Sequence, residues 1–98
     1  FVPYVDPGLP LAIAMREQVQ AYMGKYEEAP KVILLANHGL IVLGRTTTEA
    51  LNITMMADKV ADILWGALQL GDVPFMPQED VMHIYKRPDE IYRRKQFE

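Results

Sequence analysis

The spacing of apolar positions changes twice along the chain. Leu11, Met15, Val19, Tyr22 and Tyr26 recur at intervals of three and four, with Arg16, Glu17, Gln18 and Gln20 between them. That is the period of a helix with one apolar stripe, and Pro10 suits its first helical position. Gly24 or Pro30 is expected to end it. The pattern then turns continuous, because residues 32–36 and 40–43 are nearly all apolar without alternation. This predicts two strands buried on both faces, joined tightly through Asn37-His38-Gly39. After Gly44 the helical period returns in Ala50, Ile53, Thr54, Ala57, Ala61, Leu64 and Leu68. Thr46 with Glu49 three residues on reads as a capping box opening a long helix, which Gly71 and Pro74 stop. Ahead of all this, residues 1–5 are apolar and β-favouring but interrupted by Pro3, which suits an edge or terminal strand, and Asp6-Pro7-Gly8 turns the chain. The tail carries two short helix signals, starting at residues 77–80 and 88–90 and ending on Lys86-Arg87 and Arg93-Arg94-Lys95, so their charges match the helix dipole. The element order predicts a mixed α/β layer structure.

Composition narrows what such a structure can do. The 98 residues, half of them hydrophobic, suffice for one compact unit spanning residues 1–98. Ten basic against 13 acidic side chains leave a formal charge of −3, so nucleic acid and anionic membrane are both unexpected partners. With no cysteine there is neither a disulfide nor a thiolate metal site, which fits a cytoplasmic protein. No apolar run approaches the roughly 20 residues needed to span a bilayer, and F-V-P-Y-V-D-P-G lacks the basic and apolar parts of a signal peptide. The start at Phe1, inside an extended apolar segment, leads us to expect a piece of a longer polypeptide.

Candidate chemistry centres on V-I-L-L-A-N-H-G-L-I-V-L-G, which sets His38 between two apolar runs. One reading is an ordinary turn or core imidazole hydrogen-bonded to backbone. The other is a ligand, because a turn closing two buried strands fixes the ring and Gly39 has no side chain to obstruct an approaching group. A metal site takes three or more protein ligands, and no H-x-H or H-x-x-x-H pair occurs, so His38 cannot make one alone. The remaining candidates have plainer readings. His83 is expected to pack or face solvent, Met55, Met56 and Trp65 to make core or subunit contacts, Asn37 and Asp6 to form turns, and the run Arg93-Arg94-Lys95 to be a solvated helix end.

The stretch V-I-L-L-A-N-H-G-L-I-V-L-G-R-T-T-T-E-A-L-N, with P-Y-V-D-P-G upstream of a helix, resembles the C-terminal half of the class II aldolase and adducin family, over residues 1 to about 70. The resemblance implies an α/β fold: a three-layer α/β/α domain around a largely antiparallel sheet, present here as a C-terminal fragment. It also implies a homo-oligomer, usually a tetramer, with active sites between subunits. In such enzymes three histidines hold a divalent metal, usually zinc, so His38 becomes the third ligand, with the H-x-H pair and an acid/base glutamate lying outside these residues. The function implied is a metal-dependent lyase that cleaves a sugar phosphate of the fuculose, rhamnulose or ribulose type by retro-aldol chemistry through a metal-stabilised enediolate. Tyr4 matches a tyrosine that handles a proton at a neighbouring subunit's site, although half-buried packing explains an edge tyrosine equally. The alternatives are an epimerase or dehydratase on the same scaffold and an adducin-like association module without metal. A third is a non-native oligomer formed through exposed strand edges. The isolated 98 residues are expected to bind zinc weakly or not at all.

Overall fold

The computed structural model describes residues 1–96, so the last two positions of the expected 1–98 domain lie outside the described residues. The chain divides into two compact units, Phe1–Thr54 and Met55–Glu98. The first holds α1 (Leu9–Tyr26), β1 (Val32–Leu35), β2 (Gly39–Val42) and the opening turns of α2 (Thr47–Leu70). The second holds the rest of α2, then α3 (Gln78–Tyr85) and α4 (Pro88–Lys95).

In the first unit, Gly8 at φ 102° turns the chain into α1, and Pro10 lies in its first turn. The expected stripe of Leu11, Met15, Val19, Tyr22 and Tyr26 is the half-buried face. The helix ends at neither Gly24 nor Pro30. Glu27 adopts the left-handed conformation at φ 59° and its N–H donates to the Met23 carbonyl, closing the last turn with a residue that carries no glycine signal.

β1 and β2 form an antiparallel hairpin in the register Val32↔Val42, Ile33↔Ile41, Leu34↔Leu40 and Leu35↔Gly39. The hairpin matches the sequence expectation, but burial on both faces does not occur within the described residues. Ile33 is 6% exposed, whereas the cross-strand partners Leu34 and Leu40 are 51% and 43% exposed. The strand expected over residues 1–5 reduces to a single parallel bridge between Val2 and Leu35. Its Val2 N–H donates to the Leu34 carbonyl at 2.8 Å and its carbonyl accepts from the Ala36 N–H at 3.0 Å. The ladder stops there because β1 itself turns away: the next donor, the His38 N–H, goes back to the Leu35 carbonyl at 3.1 Å. Val2 is nonetheless fully buried.

The start of α2 carries the predicted capping box. The Glu49 N–H donates to Thr46 Oγ1 at 3.1 Å, and the Glu49 carboxylate accepts from the Arg45 N–H at 2.7 Å, one residue before the cap itself. Lys31 Nζ lies 3.5 Å from the same carboxylate and ties the entry of β1 to the helix. The Arg45 N–H bond, then the Lys31 charge, hold the Glu49 carboxyl below the usual glutamate value. Further along, Ala50, Ile53, Ala57 and Leu64 are half-buried, while Thr54, Ala61 and Leu68 of the expected stripe are exposed. Met55, Met56 and Trp65 are exposed at 61%, 56% and 70%, so they are not core residues here. The helix stops at Leu70 as expected, ahead of Gly71 at φ 137°.

In the second unit, α3 and α4 appear where the proline and acid signals placed them. Arg94 is not a solvated helix end. Its guanidinium lies 4.1 Å over the Tyr85 ring and donates to the Tyr85 carbonyl at 2.8 Å, fastening α4 to α3. Arg87, ahead of α4, makes a forked pair with Asp89 at 3.0 and 2.7 Å that lowers the Asp89 carboxyl from its ordinary value. The three-layer α/β/α arrangement goes beyond what the described residues form, which is four helices and one two-stranded antiparallel sheet.

Candidate functional site

The β1–β2 turn is built so that its histidine stands clear of the sheet. The His38 N–H bond to Leu35 closes a four-residue turn whose third residue, Asn37, has φ 59°, a conformation asparagine tolerates better than most side chains. Gly39 follows at φ 135°, and a Cβ built there would meet nothing within 4 Å. Gly39 itself therefore faces open space. His38 is exposed, and neither ring nitrogen is hydrogen-bonded among the described residues. The reading in which the ring bonds backbone is not what the structure contains.

Tyr4 reaches this turn through backbone pairing. Because Val2 pairs with Leu35 in parallel, the residue two positions on comes level with the turn that follows β1. The Tyr4 ring stacks on the His38 ring with centroids 5.6 Å apart and an interplanar angle of 13°. Its O–H donates a long hydrogen bond, 3.4 Å, to Asp6 Oδ1. Asp6 thus does more than turn the chain. The structure brings together the two sequence candidates, Tyr4 and His38, and adds Asp6. His83 lies in α3 of the second unit, with an exposed side chain.

A neutral imidazole with an unoccupied in-plane lone pair can serve as one ligand of a divalent cation. Among the described residues no group of three or more His, Cys, Asp or Glu side chains is placed to hold an ion. His38 has the chemistry of one such donor, and the described residues alone do not complete a set around it. A cleft of about 300 Å³ between α1 and β1, lined by Tyr22, Tyr26, Pro30 and Ile33 among others, does not include His38. Burial there raises the Tyr22 phenol, with the Glu28 charge adding to it, which suits a packed phenol.

The first unit thus sets an exposed imidazole, followed by a glycine, on the turn of an antiparallel hairpin, and the chain then enters a helix opened by a capping box. Residues 1–65 match the family described as the class II aldolase and adducin N-terminal domain, and the chain belongs to that family. It is also similar to a curated protein of Rhodospirillum rubrum named 5-methylthioribulose-1-phosphate/5-deoxyribulose-1-phosphate aldolase, at 28% identity over 60 residues. That match covers 61% of this chain and 27% of the relative, so it spans about a quarter of the relative's length. No solved structure matches the chain. No helix among the described residues is long and apolar enough to cross a membrane.

Proposed function

We propose that this chain is part of a divalent-metal-dependent lyase of the class II aldolase kind, acting on a sugar phosphate, with His38 as one ligand of the metal and zinc as the expected ion. Support comes from the family match over residues 1–65 and from the name of the R. rubrum relative, which points to a ketose 1-phosphate as the substrate class. The observation that carries the ligand role is local. His38 is exposed on a turn fixed at both ends by strand hydrogen bonds, with both ring nitrogens unengaged among the described residues and a side-chain-free residue next to it.

When bound, the cation supplies Lewis-acid stabilisation of negative charge developing on a substrate oxygen as the carbon–carbon bond breaks. His38 contributes a neutral nitrogen donor, which leaves the net charge of the site to the cation. The hydrogen-bonded turn fixes the main chain from which that donor projects, so little backbone ordering remains when the site assembles. The Tyr4 phenol, 54% exposed and beside His38, gives a proton to a developing alkoxide at a site completed by other polypeptide. We place the remaining ligands outside these residues and expect a homo-oligomer.

The test is His38→Ala in the full-length protein, with bound zinc per protomer and cleavage of a ketose 1-phosphate as readouts. Both fall together, while far-UV circular dichroism stays unchanged. Full metal content in the variant overturns the ligand assignment. A metal-free association module remains as a second reading, favoured by the exposed Leu34–Leu40 pair. Under that reading, His38→Ala leaves assembly unchanged and the wild type binds no zinc.

A further inference from the structure

We infer that Tyr4 is a positioning residue for His38 within its own subunit: its ring clamps one face of the imidazole and presets the direction in which the ring nitrogen offers its lone pair. This rests on the ligand role proposed for His38, and it is separate from any proton transfer by the phenol. Histidines that bind metals are ordinarily oriented by a hydrogen bond to the second ring nitrogen. Among the described residues His38 has no such bond, so its ring would turn freely about its side-chain torsions unless something else held it.

The parallel stack is what holds it. Centroids 5.6 Å apart with planes within 13° lie in the range of offset-stacked rings. The two demands on the imidazole do not compete, because stacking occupies its face while a metal approaches in its plane, along the nitrogen lone pair. The clamp is anchored in turn at two points. The Val2 backbone is hydrogen-bonded to both Leu34 and Ala36, which fixes the chain two residues before Tyr4, and the Tyr4 hydroxyl donates to Asp6 just beyond it. His38 is exposed despite the stack, so the ring is held on one face and approachable elsewhere.

Two substitutions in the full-length protein separate the clamp from other roles of Tyr4. Tyr4→Phe keeps the stack and removes the hydroxyl, whereas Tyr4→Leu keeps apolar bulk and removes the aromatic ring. Two measurements follow. The first is the proton chemical shifts of the His38 ring in metal-stripped protein, which report the neighbouring ring current directly. The second is zinc affinity by competition with a chromophoric chelator. Tyr4→Leu is expected to move the His38 ring resonances downfield and to weaken zinc binding by about 10-fold, the lower end of what loss of a ligand-orienting partner costs. Tyr4→Phe does neither, although cleavage falls if the phenol also transfers a proton. Unmoved His38 resonances in Tyr4→Leu, or moved resonances with unchanged zinc affinity, overturn the clamp while leaving the ligand assignment standing. Wild-type zinc affinity in His38→Ala overturns the ligand assignment and the clamp's effect on metal together, whatever the resonances report about the stack.

Discussion

Adding one methyl group at Gly44 tests how the hairpin delivers its chain into α2. A Cβ at Gly44 would lie 2.7 Å from the Ala50 backbone nitrogen, 3.0 Å from its Cα and 3.2 Å from its Cβ, where ordinary contact begins at 3.4 Å. The obstacle is therefore main chain and a methyl group, neither of which can rotate aside. Ala50 is also pinned, since its N–H donates to the Thr46 carbonyl at 3.0 Å as one of the first bonds of α2, and its own carbonyl accepts from Thr54 Oγ1 at 2.8 Å. Relief requires moving the capped turn bodily away from Gly44, which strains the Thr46–Glu49 box. Overpacking of this kind costs about 1–3 kcal/mol, against which reduced freedom of the unfolded chain returns about 0.4–1 kcal/mol, so Gly44→Ala is expected to destabilise by about 1–2 kcal/mol. Gly66 supplies the internal contrast: it lies within α2, and a methyl group added there would meet nothing within 4 Å, so Gly66→Ala should stabilise by about 0.5–1 kcal/mol through helix propensity. Urea unfolding of the full-length protein reads both. With a slope of about 1–3 kcal/mol per molar urea, the two variants move the midpoint in opposite directions by about 0.2–2 M. A Gly44→Ala protein as stable as wild type would refute the close approach, because no side-chain adjustment can hide it.

Three further outcomes follow from the same geometry. Thr46→Ala removes the acceptor for the Glu49 N–H and should cost about 1 kcal/mol in urea unfolding, with Thr46→Ser restoring most of it. The Glu49 carboxyl titrates below its usual value in the folded chain, so its contribution is complete above the unfolded glutamate pKa and is lost as pH falls through the folded value; Glu49→Gln should flatten the loss of stability below about pH 4.5, and a wild-type slope in that variant refutes the assignment. At the turn, Asn37 has φ 59°, so Asn37→Gly should leave the urea midpoint close to wild type while Asn37→Val lowers it, since a β-branched side chain cannot take that conformation without strain.

What the sequence could disclose follows the distance over which each interaction acts. The capping box, the turn at Asn37-His38-Gly39, the stop at Gly71 and the short tail helices were all legible, because each depends on residues a few positions apart. The end of α1 was not, since Glu27 takes the left-handed conformation that the pattern reserves for Gly24. Burial was misjudged for a different reason. A continuous apolar run such as residues 32–36 states that both faces avoid water, but not what covers them, and within the described residues the Leu34–Leu40 pair stays about half exposed. The same holds for Met55, Met56 and Trp65 on α2.

The site divides along the same line. His38 stood out because N-H-G is a local signal, and the structure shows why the turn presents that ring. Its stacking on Tyr4 had no local signal, as the two residues are separated by the whole of α1 and meet only because Val2 pairs with Leu35. The order of cause is informative. One buried valine, held by two main-chain hydrogen bonds, sets the register of the chain's first residues against β1, and that register decides which side chain faces the imidazole. A shift of one residue would present Pro3 or Val5 in place of Tyr4, neither of which can stack a parallel aromatic plane on the ring. The direction of the His38 lone pair is in this sense a property of strand pairing, so substitutions at Val2, which touches neither ring nitrogen, should disturb the imidazole as surely as substitutions at Tyr4.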